Sequence, residues 1–165
     1  MAEPWLRGPV PDVPPLLQPV AHALLLAMED VRRVVPPLTA EQLHARPGGA
    51  ASVAFHVVHA AGSLDRLFTY ARGESLDDAQ MDALRAEKDG LGDMDSAAVV
   101  TAFGSQVEHA LAQLRATDES TVLDAREVGR AKLPSNVLGL LFHAAEHTQR
   151  HVGQTITTAR VVAAG

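Results

Sequence analysis

Two histidines near the end of the chain have the spacing of a metal-binding pair. His147 and His151 lie four residues apart in a segment with helical periodicity, so their side chains leave neighbouring turns of one helix. The Cβ atoms of such a pair are roughly 5–6 Å apart. Two imidazole nitrogens at that separation can bind one ion at distances of about 2.0–2.1 Å. The pair therefore predicts two ligands of a metal site, and a third must come from another helix.

A second pair of histidines is the candidate source of that third ligand. His56 and His59 are three residues apart in an earlier helical segment. His59 begins a polar line, continued by Ser63, Arg66 and Tyr70, that follows the edge of an apolar face and could border a cleft. A helical wheel places His56 nearer the apolar face than His59, so the spacing alone leaves the choice of ligand open. His56, Ser63 and Tyr70 are the candidate pocket residues.

Chance must be weighed against this interpretation. The chain has 8 histidines in 165 residues, so one pair at a spacing of four is expected from composition alone. Hydrogen-bonded histidines at the edge of a core are also common. Two pairs on two helices, all beside a core face, are more than composition predicts, and this joint placement favours a site.

The elements that would position these side chains are helices. Apolar residues recur at helical spacing in four long segments, residues 16–35, 52–72, 96–116 and 136–159. A short helical turn is predicted at 39–45, and a charged crossover at 74–95 is predicted to contain a short helix at 78–88. Residues 117–134 are polar and predict a loop. The pattern indicates an all-α four-helix bundle with a long crossover between the second and third helices.

The composition bounds the domain organisation and the partners. Five of the ten prolines fall in residues 1–15, which predicts an extended arm followed by a single bundle domain at 16–165. The net charge of −6 argues against a nucleic-acid partner. No apolar run approaches the ~20 residues that span a bilayer, so no membrane partner is expected. The absence of cysteine excludes thiolate metal sites within this chain and fits a cytoplasmic location.

Two motifs in these helices resemble a known family. The second long helix contains His59-Ala-Ala-Gly-Ser63, and the fourth contains His147-Thr-Gln-Arg-His151-Val-Gly-Gln154. With the order of the elements and the long crossover, they resemble the DinB/YfiT-like superfamily of metal-binding four-helix bundles. The resemblance covers nearly the whole chain after the arm. It implies that the three metal ligands are His59, His147 and His151, and that His56 lines the pocket or lies behind the ligands.

Three neutral imidazoles would leave a divalent ion with an open coordination position, which is the pattern of a catalytic site. Zn²⁺ and Ni²⁺ both suit imidazole ligands, and ligand softness does not separate them. No side chain is assigned as catalytic, because a metal-bound water could lose its proton near pH ~7 and act alone. Ligating imidazoles usually donate their other ring nitrogen to an acceptor. Candidate acceptors are Asp65, Glu146, Gln154 and backbone carbonyls.

The resemblance implies a metal-dependent transferase or hydrolase that acts on a small molecule. The transferase would use a low-molecular-weight thiol, which must be external because the chain has no cysteine. A homodimer is also consistent with the resemblance. Two alternatives remain at this point: a non-catalytic, stress-associated metal-binding bundle, and a metal-free helical interaction module.

Overall fold

Four long helices and two short ones account for most of the fold. The computed structural model of the chain describes residues 2–89 and 94–164, so residues 90–93 of the predicted crossover lie outside the described residues. The long helices are α1 (Gln18–Val34), α3 (Val53–Ala71), α5 (Ser96–Ala116) and α6 (Val137–Ala164). The short helices are α2 (Ala40–His44) and α4 (Asp78–Asp89), and the strands are β1 (Ala125–Val128) and β2 (Leu133–Asn136).

The long helices pack as a ring around one core. α3 packs against α6 and α5, and α1 packs against the same two helices, so each helix has two neighbours. The apolar stripes predicted from helical periodicity face inward and meet in this core. Its largest fully buried side chains include those of Leu24, Leu64, Phe68, Phe103 and Leu141. The prediction of an all-α four-helix bundle is confirmed.

Local signals fix the ends of α3, the helix that carries His56 and His59. Ser52 precedes the helix, and its hydroxyl accepts a hydrogen bond from the backbone N–H of Phe55 at 3.2 Å. Gly73 follows the helix with a φ of +81°, a conformation that glycine adopts without a steric cost. Both ends agree with the sequence prediction, because capping is determined by a few adjacent residues.

The start of α6 differs slightly from the prediction. Asn136 belongs to β2, and its Oδ1 accepts a hydrogen bond from the N–H of Gly139 at 2.7 Å. This bond satisfies one of the unpaired N–H groups of the first turn, so the helix begins at Val137. α6 then continues to Ala164, beyond the predicted end at residue 159.

The predicted loop at 117–134 was only partly correct, because residues 125–136 contain an antiparallel hairpin. β1 pairs with β2 in a register that sets Arg126 opposite Ser135. The turn between the strands uses positive φ values at Gly129 and Lys132. Strands of four residues are too short to show an alternating pattern, and Pro134 has no N–H to donate to a ladder. The sequence therefore gave no strand signal here.

The arm that precedes the bundle lies against α1. It contains a 3-10 turn at Pro4–Leu6, and a second one at Pro15–Leu17 leads into α1. Arg7 forms an ion pair with Glu29 of α1 through both guanidinium nitrogens, at 2.5 and 2.8 Å. Among the described residues, no helix has the length and hydropathy needed to cross a lipid bilayer.

Candidate metal centre

Three histidines from α3 and α6 meet at the interface of these two helices. Each of His59, His147 and His151 offers a ring nitrogen, and the three nitrogens lie within 4.8 Å of one another. Nε2 of His59 and Nε2 of His147 are 3.2 Å apart. The structure thus brings together the three residues that the family resemblance named as ligands.

The separations fit the donor set of a divalent transition-metal ion. Nitrogens bound at about 2.0–2.1 Å to a tetrahedral ion lie roughly 3.3 Å from one another. The pair at 3.2 Å already has this spacing, and the other separations in the group are no longer than 4.8 Å. All three donors are imidazoles, which suit Zn²⁺, Ni²⁺ and related ions. The group could therefore hold such an ion.

The electrostatic environment keeps the α6 imidazoles neutral. Burial, together with the neighbouring ring of His59, lowers the pKa of His147. Burial followed by the rings of His59, His147 and His56 lowers the pKa of His151 to about 4. An imidazole must be unprotonated to bind a metal ion. The α6 pair therefore stands in the metal-binding protonation state at neutral pH.

The ring of His59 has a carboxylate partner on its far side. Its Nδ1 lies 2.7 Å from Oε2 of Glu87 in α4. Burial raises the pKa of Glu87, but the hydrogen bonds from His59 and Arg66 outweigh it and hold this pKa below its usual value. An ionised carboxylate only accepts hydrogen bonds, so Nδ1 of His59 carries the proton and donates it. The Nε2 atom is then left free to bind an ion.

His56 takes a different position from His59. It is buried, and its Nδ1 lies 3.1 Å from Nδ1 of His151. Burial, with the nearby ring of His59, lowers the pKa of His56. The helical wheel correctly placed His56 nearer the core than His59. The three ring nitrogens that lie together nevertheless belong to His59, His147 and His151. His56 lies behind the group, against the ring of His151.

The other predicted hydrogen-bond acceptors are engaged elsewhere or lie to one side. Asp65 accepts hydrogen bonds from Gln80 at 2.7 Å and from Gln106 at 3.4 Å. Glu146 accepts from the guanidinium of Arg150, one turn further along α6. Gln154 lines a neighbouring cleft. For His59, the acceptor is Glu87, which the sequence analysis did not name.

The predicted pocket residues are spread along α3. Ser63 is half-buried, one turn from His59. Tyr70 lies about 16 Å from His59 along the helix axis, at a rise of 1.5 Å per residue. It borders a different cleft, beside the hairpin, with Arg126 and Lys132. The structure therefore does not bring Tyr70 to the imidazoles.

A cleft opens on the His56 side of the group of imidazoles. It has a volume of about 550 Å³, and its lining includes His56 together with Arg150, Gly153 and Gln154 of α6. A Cβ at Gly153 would meet nothing within 4 Å, so the missing side chain leaves this part of the cleft open. The lining does not include His59, His147 or His151, so the cleft borders the group through His56.

Sequence reasoning missed Glu87 because it lies in a short helix rich in charged residues, where an acidic side chain is ordinarily exposed. Residues 78–88 were correctly predicted as a short helix of the charged crossover, but none of its residues was predicted to contact the site. The available signal was Arg66, a charged residue in the polar line of α3. It is buried and pairs with Glu87 at 2.7 Å. A charged residue at the edge of a core needs a partner of opposite charge, and the acidic crossover helix that follows α3 is a source of one.

The remaining histidines with described contacts have structural roles. The Nε2 atom of His22 lies 3.0 Å from the carbonyl oxygen of Gly8 in the arm. His44 similarly contacts the carbonyl oxygen of Met94 at 2.8 Å. His143 is exposed and lies 3.5 Å from Glu146 on the surface of α6.

The fold and the site agree with the comparison of the chain with known proteins. No curated protein matches the sequence. The sequence model that describes the DinB superfamily matches residues 23–155, a stretch that begins in α1 and ends in α6 and contains all three histidines of the group. Because the match covers well over half of the chain, this protein belongs to the DinB superfamily.

Proposed function

We propose that this protein binds one divalent metal ion, zinc or nickel, through His59, His147 and His151 and uses it to act on a small molecule. The observation that carries the proposal is the convergence of three ring nitrogens within 4.8 Å at the α3–α6 interface. Membership of the DinB superfamily supports it, since the group and the helical fold together fit a metal-binding protein.

The proposed reaction is the transfer of a small thiol to an electrophilic substrate, or the hydrolysis of such a substrate. A divalent ion with three protein ligands supplies a Lewis acid and an open coordination position. In the transfer, the sulfur forms a bond to the electrophilic carbon and the bond to the leaving group breaks. The leaving group takes the electron pair, and the thiol proton passes to solvent. In the hydrolysis, water replaces the thiol.

The side chains of the protein hold and orient the reacting centre. Oε2 of Glu87 accepts a hydrogen bond from Nδ1–H of His59, so that Nε2 of His59 faces His147 of α6. His56 contacts Nδ1 of His151 and leaves the other nitrogen of that ring free. The cleft beside His56 offers the amide of Gln154 to a polar substrate, and Arg150, which also binds Glu146, lines the same cleft. Because small thiols accumulate in reducing compartments, the proposal places the protein in the cytoplasm.

Metal content tests the first part of the proposal. The full chain is purified without an affinity tag, and zinc and nickel are measured by mass spectrometry of the elements. We expect about one ion per chain in the wild type and a near-complete loss in His147→Ala and in His151→Ala. The matched control is His109→Ala, which removes an exposed histidine of α5 and should retain the metal. Equal metal content in all four proteins contradicts the proposed ligands.

Thiol consumption tests the second part. The metal-loaded protein is incubated with a small thiol and a panel of electrophiles, and the free thiol that remains is titrated. Ester hydrolysis is followed in parallel without thiol. Turnover that disappears in His147→Ala supports an enzyme. A protein that holds the metal but turns over no substrate in either assay supports the non-catalytic alternative instead.

A further inference from the structure

Glu87 is a buried carboxylate on a short helix whose other described side chains are exposed or half-buried. Among residues 78–87, the part of α4 whose side chains are described, it is the only buried one. Its side chain is 5% exposed. Burying a carboxylate costs free energy unless charged or hydrogen-bonding partners compensate for the lost water. The contacts of Glu87 with its partners therefore help to determine the position of α4.

The two oxygens of Glu87 have different partners. Oε1 accepts a hydrogen bond from Nη1 of the buried Arg66 at 2.7 Å. Oε2 lies 2.7 Å from Nδ1 of His59 and 3.4 Å from Nη2 of Arg66. One carboxylate thus joins a buried guanidinium and the candidate metal ligand of α3.

A glycine makes room for this arrangement. A Cβ at Gly62 would overlap Oε1 of Glu87 and would approach Nη1 of Arg66 to 2.8 Å. Gly62 lies between His59 and Arg66 in α3, at the point where the carboxylate enters. The space for the carboxylate costs helix stability, because glycine inside a helix is roughly 1 kcal/mol less favourable than alanine. The position is thus shaped to receive the side chain of Glu87.

A second polar contact holds α4 on α3 two turns away from Glu87. Nε2 of Gln80 donates to Oδ2 of Asp65 at 2.7 Å and to the hydroxyl of Thr69 at 2.8 Å. Gln80 and Glu87 are seven residues apart and so lie on one face of α4. Only the Glu87 contact reaches a histidine of the candidate metal centre.

We propose that Glu87 is a positioning residue of the metal centre: by accepting Nδ1–H of His59, it presents Nε2 to the ion and couples metal binding to the docking of α4. The inference rests on the proposed function, because it requires His59 to be a ligand. Acceptors behind ligating histidines fix the tautomer and the ring orientation. Coupling is reciprocal, so a bound ion must also stabilise the docked position of α4.

Metal affinity measures the positioning role directly. The affinity of the full chain for Zn²⁺ is determined by competition with a chromophoric chelator. Glu87→Ala should weaken binding by about 10- to 100-fold, the usual effect of losing such an acceptor. Glu87→Gln should lose less, because its amide oxygen still accepts from Nδ1–H. Glu108→Gln removes an exposed carboxylate of α5, with the same change in charge, and should bind as the wild type does.

Two further variants separate positioning from loose packing. Gln80→Ala weakens the attachment of α4 but leaves the partner of His59 in place, so its loss of affinity should be clearly smaller than that of Glu87→Ala. A loss of equal size would mean that α4 acts only as a cover, which overturns the inference. If Glu87→Ala does not fold, Glu87→Met, which removes the acceptor and keeps most of the side-chain volume, should show the same loss of affinity, and wild-type affinity in that variant overturns the inference.

Hydrogen exchange of α4 gives a readout that is independent of activity. Zn²⁺ should slow the exchange of the α4 amides in the wild type and should have no such effect in Glu87→Ala. Unchanged exchange in the zinc-bound wild type, or wild-type affinity in a folded Glu87→Ala, overturns this inference and leaves the proposed function intact. A wild type that binds no Zn²⁺ overturns both.

Discussion

Glu87 of the crossover helix accepts a hydrogen bond from His59 of the bundle at 2.7 Å, across 28 residues of sequence. The contact joins the charged crossover helix α4 to the α3 residue on which the candidate metal centre depends. It also explains the buried Arg66 in the polar line of α3, because Arg66 is the second partner of the same carboxylate. The crossover helix is therefore part of the site as well as a connection.

Gly62→Ala should weaken metal binding while the protein stays folded. The added methyl group overlaps Oε1 of Glu87, which is the end of a flexible side chain and can move away. Moving it breaks the contacts with Arg66 and His59. We expect Zn²⁺ affinity to fall by about 10- to 100-fold, as for loss of the acceptor itself. Competition with a chelator measures the affinity, and circular dichroism checks the helix content.

The matched control for this substitution is Gly104→Ala, another helix-interior glycine. A Cβ there would meet only the tip of Arg32, at 3.4 Å. The variant should bind Zn²⁺ as the wild type does and should be equally stable or more stable by up to about 1 kcal/mol, from helix propensity. If Gly62→Ala binds Zn²⁺ as tightly as this control does, the space that Gly62 leaves for Glu87 has no role in the site.

Ser52→Ala should lower the free energy of unfolding by about 1 kcal/mol. The Ser52 hydroxyl accepts a hydrogen bond from the backbone N–H of Phe55 at the start of α3. Alanine at residue 52 leaves that N–H without this partner. Urea unfolding followed by circular dichroism gives the difference. Ser105→Ala, at an exposed position inside α5, is the control and should cost nothing. A Ser52→Ala variant as stable as this control would show that the cap contributes nothing to the fold.

Metal binding should raise the melting temperature. An ion that binds only the folded state at 100 times its dissociation constant adds about 2.7 kcal/mol of stability. For a protein of this length, each kcal/mol corresponds to about 2–4 °C, so the shift should be about 5–11 °C. Scanning calorimetry with Zn²⁺ and then with a chelator measures it. His151→Ala should show no shift of its melting temperature with Zn²⁺. A wild type whose melting temperature changes neither with Zn²⁺ nor with the chelator would contradict a specific site.

The helices and their caps were predictable because their signals are local. An apolar residue at every third or fourth position identifies a helix whatever lies elsewhere in the chain, which is why the core positions of α1 and α3 were recognised. Ser52 and Gly73 likewise act through adjacent backbone groups. The pair at 147 and 151 followed from helical spacing, and the family resemblance supplied His59.

The contacts between distant segments were not predictable from such signals. Spacing could not decide between His56 and His59, because both lie near the α3–α6 interface and only the packing of two helices separates their roles. Glu87 depends on how the crossover helix docks, which no periodicity encodes. The hairpin at 125–136 depends on backbone pairing between two strands of four residues, with little side-chain pattern to reveal it.

The most direct test of the central claim is the position of a bound metal ion. Crystals of the full chain grown with Zn²⁺ can be measured on both sides of the zinc absorption edge. The account predicts one anomalous peak between α3 and α6, at about 2.0–2.1 Å from ring nitrogens of His59, His147 and His151. A fully loaded crystal with no peak there, or with the zinc held by other residues, would contradict it.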